Sequence, residues 1–431
     1  MTQTSMSAPS VPQVSQMAAN LIGSEIIKLA ADINKRIQQG EQIYNFTIGD
    51  FDPQVFPIPE ALEEKIIQAY RSKQTNYPAA NGIEPLRKAV SHFLEKGLGL
   101  TYSPDDILIS GGGRPLIYAA YMSVVDPGDK IIYPLPSWNN NHYTHLSGGV
   151  PVEIETSAAN HFMPTADDLK PHIGDATLIA LCSPLNPTGT TFSKEALTSV
   201  CELVVEENAR RAGKQKPVYL LYDQLYWTLT YGETMHHDPV SLVPGVRPYT
   251  IYIDGLSKAF AATGVRVGWS AGPPHIIAKM RAILSHIGAW SPKPEQVAAA
   301  AFLEDDEAVQ SYLETYKAAL HQRLEGFYRH FQHLKASGFP VDCIAPQAAI
   351  YLTVRIDLRG ATTQSGEQLT DMAAVTRYLL QDAGLAIVPF YAFGTGRESP
   401  WFRLSVGTCR MEDVDASMEK LGAALRSLQF S

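Results

Sequence analysis

The chain has 431 residues, 45% of them hydrophobic and 18% charged, with a formal net charge of −9. That balance describes a globular protein with ample core and room for two or three domains. It excludes a nucleic-acid surface, because no basic stripe interrupts the acidic excess, and no run of 18 apolar residues is present to cross a membrane.

Residues 1–23 are rich in Ser, Gln, Pro and Ala, without a basic start or an apolar centre, and predict a flexible tail rather than a secretory leader. A helix follows over 24–39, with Ile26, Ala30, Ile33 and Ile37 on one face, Ser24 as its cap and Gly40 as its stop. Pro59 and Pro85 stand where helices over 61–70 and 86–94 can begin. Short apolar strands at 107–110, 130–133, 177–181, 218–222 and 250–253 then alternate with helical stretches. This pattern predicts an α/β fold in which a mostly parallel, helix-covered sheet occupies a large domain over 52–304. A long helix over 306–335 and strands near 351–356, 386–388 and 402–406 make 305–431 a smaller α+β unit. Cys182, Cys201, Cys343 and Cys409 form no C-x-x-C pair, so reduced thiols in a cytoplasmic enzyme fit the pattern.

Four places carry chemistry. Strand 107–110 runs into Gly111-Gly112-Gly113-Arg114-Pro115 and a helix with Pro115 near its first position; the residues alone allow a phosphate cradle or a Gly-rich turn. Leu181-Cys-Ser-Pro-Leu-Asn-Pro-Thr-Gly189 places Asn186 after a buried strand, and a turn-forming Asn-Pro is the plainer alternative. Asp223 ends the apolar run Val218-Tyr-Leu-Leu-Tyr. A carboxylate there needs a cation or several hydrogen bonds, or it caps a helix. Lys258 closes Thr250-Ile-Tyr-Ile-Asp-Gly-Leu-Ser-Lys, with Arg266 eight residues on. An amine at a strand's end can condense with a carbonyl, and a nearby arginine suits a phosphate on the same ligand. In isolation the segment also fits a surface lysine. The spacing adds weight, since Asn186, Asp223 and Lys258 close strands 37 and 35 residues apart, as successive β-α units require.

These motifs resemble the class I/II aminotransferases of fold type I, and the likeness runs from about Ser24 to Arg403. It implies pyridoxal 5′-phosphate as cofactor and a discontinuous small domain made of 24–51 and 305–431. Lys258 would hold the cofactor as a Schiff base and then move the substrate Cα proton to C4′, with Ser257 beside it in the cofactor site. Gly112, Gly113 and Arg266 would seat the phosphate. Asn186 and Tyr226 would hydrogen-bond O3′, Asp223 would pair with the protonated ring nitrogen, and Trp138 would stack on the ring. Tyr77 would reach the phosphate of a neighbouring subunit, which implies a homodimer with shared active sites. Arg403 would grip the substrate α-carboxylate, with Gly49 and Asn186 in contact with substrate. Arg114 stands where some bacterial aspartate aminotransferases carry a lysine that meets the distal carboxylate.

The resemblance therefore implies ping-pong transfer from an aspartate- or glutamate-type donor to a 2-oxo acid such as 2-oxoglutarate. The alternatives are an aromatic or neutral donor, a β-lyase or racemase on the same scaffold, and a cofactor-binding regulator. Such regulators carry an N-terminal DNA-binding domain, for which 23 residues are too few. Three departures from the family pattern stand out: Gly255 in place of a serine, Pro389-Phe390 in place of Pro-Gly, and Ala348-Ala349 in place of a glycine-containing pair. His142, His145, His236 and His237 lack carboxylate or cysteine support, so no metal is expected.

Overall fold

The computed structural model describes residues 14–21, 23 and 25–430. Ser24 as a helix cap, and the first 13 residues of the expected tail, lie outside them. Within that tail, Gln16–Ala19 forms one helical turn capped by Ser15, and the Met17 carbonyl lies 2.8 Å from His145 Nε2.

Among the described residues, thirteen strands form three sheets. They are β1 (Tyr44–Asn45), β2 (Ile107–Ser110), β3 (Lys130–Leu135), β4 (Val150–Glu155), β5 (Ala176–Cys182), β6 (Tyr219–Asp223), β7 (Thr250–Gly255), β8 (Gly268–Ala271), β9 (Val341–Cys343), β10 (Tyr351–Ile356), β11 (Leu385–Ala386), β12 (Val388–Pro389) and β13 (Trp401–Ser405). The large sheet has the order β2-β8-β7-β6-β5-β3-β4. Neighbours from β7 to β4 run parallel, while β8 is antiparallel to both β7 and β2. Strands β5, β6 and β7 are buried nearly throughout, which is why they read as continuous apolar runs.

Four strands escaped the sequence reading: the short β1 and β9, and two in the large sheet. In β4, Glu153 and Glu155 interrupt the apolar pattern because the strand forms an edge, where Pro151 is tolerated. In β8, the chain doubles back beside β7. The single helical turn Leu256–Ala259 between them is too short to run back along the strand and start a parallel one.

Helix boundaries follow their caps. Gly112, at φ 96°, opens the helix Gly113–Val124, so Pro115 is its third residue and not its first. The helix Asp306–Ala336 starts where the Asp305 side chain accepts from the Ala308 N–H. It lays Leu320, Leu324, Phe327 and Phe331 against the antiparallel sheet β12-β13-β10-β9. The expected strand at 386–388 is two strands, because β11 pairs in parallel with β1 while β12 joins β13. Residues 44–45 are thereby tied to 385–386 across most of the chain. Ile33 is buried as expected, whereas Ile37 stays 42% exposed. No described helix is long and apolar enough to cross a membrane.

Candidate active site

The carboxyl ends of β5, β6 and β7 carry Asn186, Asp223 and Lys258, at the edge of the sheet where ligands of such folds bind. Lys258 lies in the helical turn just after β7. Its Nζ donates to the Gly49 carbonyl at 2.8 Å and stands 5.4 Å over the Phe51 ring, while Tyr316 Oη donates to the Lys258 carbonyl at 3.1 Å. Burial lowers the Lys258 amine to about 8. The Asp50 carboxylate opposes that shift, and Arg403, Arg114 and Arg266 reinforce it.

Asp223 accepts a 3.2 Å hydrogen bond from the Leu225 N–H, and no cation among the described residues pairs with it. Burial lifts its carboxyl to about 6, relieved in part by that N–H. Arg403 is the mirror case. It is 2% exposed, yet its partners are the Asn186 Oδ1 at 3.0 Å and the Thr47 carbonyl at 2.7 Å; its Nε has none. Its guanidinium lies 4.7 Å over the Tyr351 ring and 5.0 Å over that of Phe393, and burial lowers its pKa. Since Asn186 Oδ1 is engaged by Arg403, the Asn186 amide N–H groups remain to donate elsewhere. Gly49 is required here: a Cβ would lie 2.9 Å from Tyr351 Oη and 3.4 Å from Arg403 Nη1. Tyr226 Oη is 2.6 Å from Tyr351 Oη.

The Gly111 and Gly112 N–H groups donate to the Ala289 and Ser110 carbonyls, and the helix that starts at Gly113 has no side chain capping its first N–H groups. Arg266 crosses it, donating from Nη2 to the Gly111 carbonyl at 2.8 Å and from Nη1 to the Thr263 carbonyl at 2.6 Å. A Cβ on Gly112 would collide with that guanidinium. Gly268 in turn packs on the Gly112 backbone, and Gly255 on the Gly268 Cα, where a Cβ would stand at 2.8 Å. The missing serine at 255 is thus a matter of space. Gly255→Ser is expected to lower stability by about 1–3 kcal/mol through overpacking; an unchanged urea-unfolding midpoint would show that β8 yields instead. Ser257 is buried alongside.

Three other expected residues sit nearby. Arg114, exposed, places its guanidinium 4.6 Å over the Trp138 ring, so one face of that indole is covered by a cation. Tyr77 is 82% exposed and meets the Trp290 ring edge-on at 5.3 Å, pointing away from this chain's own core. The histidines form no metal group among the described residues, and burial holds His236 down to about 3, so it is neutral.

Tyr351, Phe51, Thr47 and Asp50 were not found by sequence reasoning. Thr47 and Phe51 act through a carbonyl and a ring face, for which no residue type is diagnostic. Tyr351 opens an apolar strand as any core tyrosine does, but the left-handed Ala349 (φ 60°) just before it marks the turn that aims it. Asp50, adjoining Gly49, was the one legible signal.

A model of the family described as aminotransferase class I and II matches residues 41–421. Among curated relatives, an aspartate aminotransferase of Rhizobium meliloti (strain 1021) is 30% identical over 408 residues, covering 93% of each chain. The crystal structure of the aspartate aminotransferase from Rhizobium meliloti superposes with a TM-score of 0.88 at 28% identity, over 97% of this chain and 100% of the other. The aspartate aminotransferase from Thermus thermophilus with maleate gives 0.84 at 26% identity, over 96% and 100%.

Proposed function

The chain belongs to the aminotransferase class I and II family, and from that premise we propose that it moves the amino group of an acidic L-amino acid to a 2-oxo acid on pyridoxal 5′-phosphate. One observation carries the reading. The buried Asp223 and Arg403, opposite in charge, have no ionic partner among the described residues, and Arg403 is among the charges that act on the buried Lys258 amine. Unpaired buried charges are costly, so each is suited to a charge that a ligand brings.

The cofactor fits these residues. Asp223 would keep a proton on its ring nitrogen, the Asn186 amide and Tyr226 hydroxyl would meet O3′, and the Gly113 N–H at the helix start, approached past Gly112, would hold its phosphate with Arg266 and Ser257. Bound there, it would supply a sink for the electron pair left at the substrate Cα. Arg403 would orient the α-carboxylate through its planar fork, beside Gly49. Lys258 Nζ, held near neutrality, would take the Cα proton and return it. The exposed Tyr77, set against the half-buried Trp290, accords with a homodimer in which Tyr77 serves a second copy's phosphate. The four free cysteines accord with a cytoplasmic setting.

Arg114 sets the donor class in this reading: its guanidinium sits on Trp138 beside the glycine loop, with no carboxylate of its own among the described residues. Maleate, the ligand of the Thermus relative, is a dicarboxylate, which supports an acidic substrate. Arg114→Ala is expected to lower kcat/KM for aspartate and glutamate by about 10–100-fold, the worth of a charge-assisted hydrogen-bond pair. Aromatic donors should change little. Equal losses across a donor panel with 2-oxoglutarate would overturn the acidic reading, and release of ammonia in place of a transferred amine would favour a lyase.

A further inference from the structure

Asp254 lies four residues before Lys258, is 1% exposed, and pairs with no cation among the described residues. Register puts Asp223 opposite Ile253, so strand alternation sends Asp254 to the other face of the sheet, away from the proposed cofactor. There its Oδ1 accepts from the Gly255 N–H at 2.7 Å, and its Oδ2 accepts from the Trp227 indole N–H at 2.9 Å. Burial pushes the carboxyl up to about 8, while those two N–H groups draw it down.

Trp227 belongs to the turn that leaves β6. That turn starts at Asp223, passes Tyr226, and is closed by Gln224 N–H to the Ile253 carbonyl and Trp227 N–H to the Gln224 carbonyl, each at 2.9 Å. The Trp227 ring is itself fixed, packed on the Gly97 backbone, where no Cβ would fit, and 5.3 Å from the Phe93 ring. The surroundings are otherwise poorly satisfied: Gln224 Nε2 and Thr228 Oγ1 are buried without partners. A buried carboxyl at this place costs stability, and what it provides is a side-chain bridge beside the backbone hydrogen bond from the Gln224 N–H to the Ile253 carbonyl.

We propose that Asp254 is a positioning residue: through Trp227 it fixes the turn bearing Asp223 and Tyr226 against the strand bearing Lys258. The bridge governs how the ring and the lysine are spaced, from the face of the sheet that no substrate touches. This inference rests on the cofactor reading above, and the test separates the two. Apoprotein is titrated with pyridoxal 5′-phosphate, and the visible circular dichroism of the bound cofactor reports ring orientation. If wild-type protein takes up no cofactor, the cofactor reading fails. With wild-type uptake intact, Asp254→Asn and Trp227→Phe should each weaken affinity about 10-fold and alter the visible band, while apoprotein melting shifts little. The double variant should lose no more than the worse single one, because both break one bridge. Wild-type affinity and dichroism in both variants, or losses that multiply in the double, would overturn the proposal. Should Asp254→Asn not fold, Trp227→Phe decides on the same two readouts.

Discussion

Lys258→Ala is expected to cut transamination by about 10⁴-fold, the upper end of what a positioned general base contributes. Its amine is the one group in the cleft that can both capture a carbonyl and carry a proton. Its hydrogen bond to the Gly49 carbonyl holds it beside the residue that packs against Arg403. Burial makes the group usable: at pH 7 an amine of pKa about 8 is neutral in about one molecule in ten, against about one in 3,000 at 10.5. Cofactor uptake by wild-type apoprotein should therefore rise about tenfold per pH unit below 8 and level off above it. Stopped assays of 2-oxo acid formation and the visible absorbance of the variant check both points. A variant within tenfold of wild type, or a flat pH profile of uptake, would remove Lys258 from the chemistry.

Asp223→Asn should separate activity from stability. Turnover is expected to fall by about 10³-fold, as when a preorganised charge partner is removed from a closed site. The apoprotein should become more stable. An acid lifted from 3.8 to about 6 by burial binds its proton more tightly when folded, so its ionised form opposes folding above pH 6, by up to about 3 kcal/mol at pH 7. The same sign predicts that this group adds stability to wild-type apoprotein as pH falls from about 6 toward 4, and the asparagine variant lacks that gain. Urea unfolding at pH 7 and pH 5 measures it. Loss of activity together with loss of stability would mean that Asp223 has a structural partner after all.

The sheet was legible because its inner strands are buried on both faces and leave uninterrupted apolar runs. Edge strand β4 and the reversed β8 were not, since one mixes glutamates into its pattern and the other follows a connection with no helix to announce it. The charged residues of the site could be read because charge at the end of a buried strand is costly enough to demand a reason. Tyr351 and Phe51 could not, because a ring lining a pocket has the same sequence signature as a ring filling a core. The glycines stood between: Gly255 reads as a lost hydroxyl in sequence, and only the Gly268 backbone against it shows that no side chain fits.

The hydrogen bond from Arg403 to the Thr47 carbonyl spans 356 positions of sequence. Closing so long a loop is entropically costly and kinetically late. On the ribosome the glycine loop, Asp223 and Lys258 emerge well before Arg403 does, so the ends of β5, β6 and β7 are made long before the strand that ties Thr47 to the site.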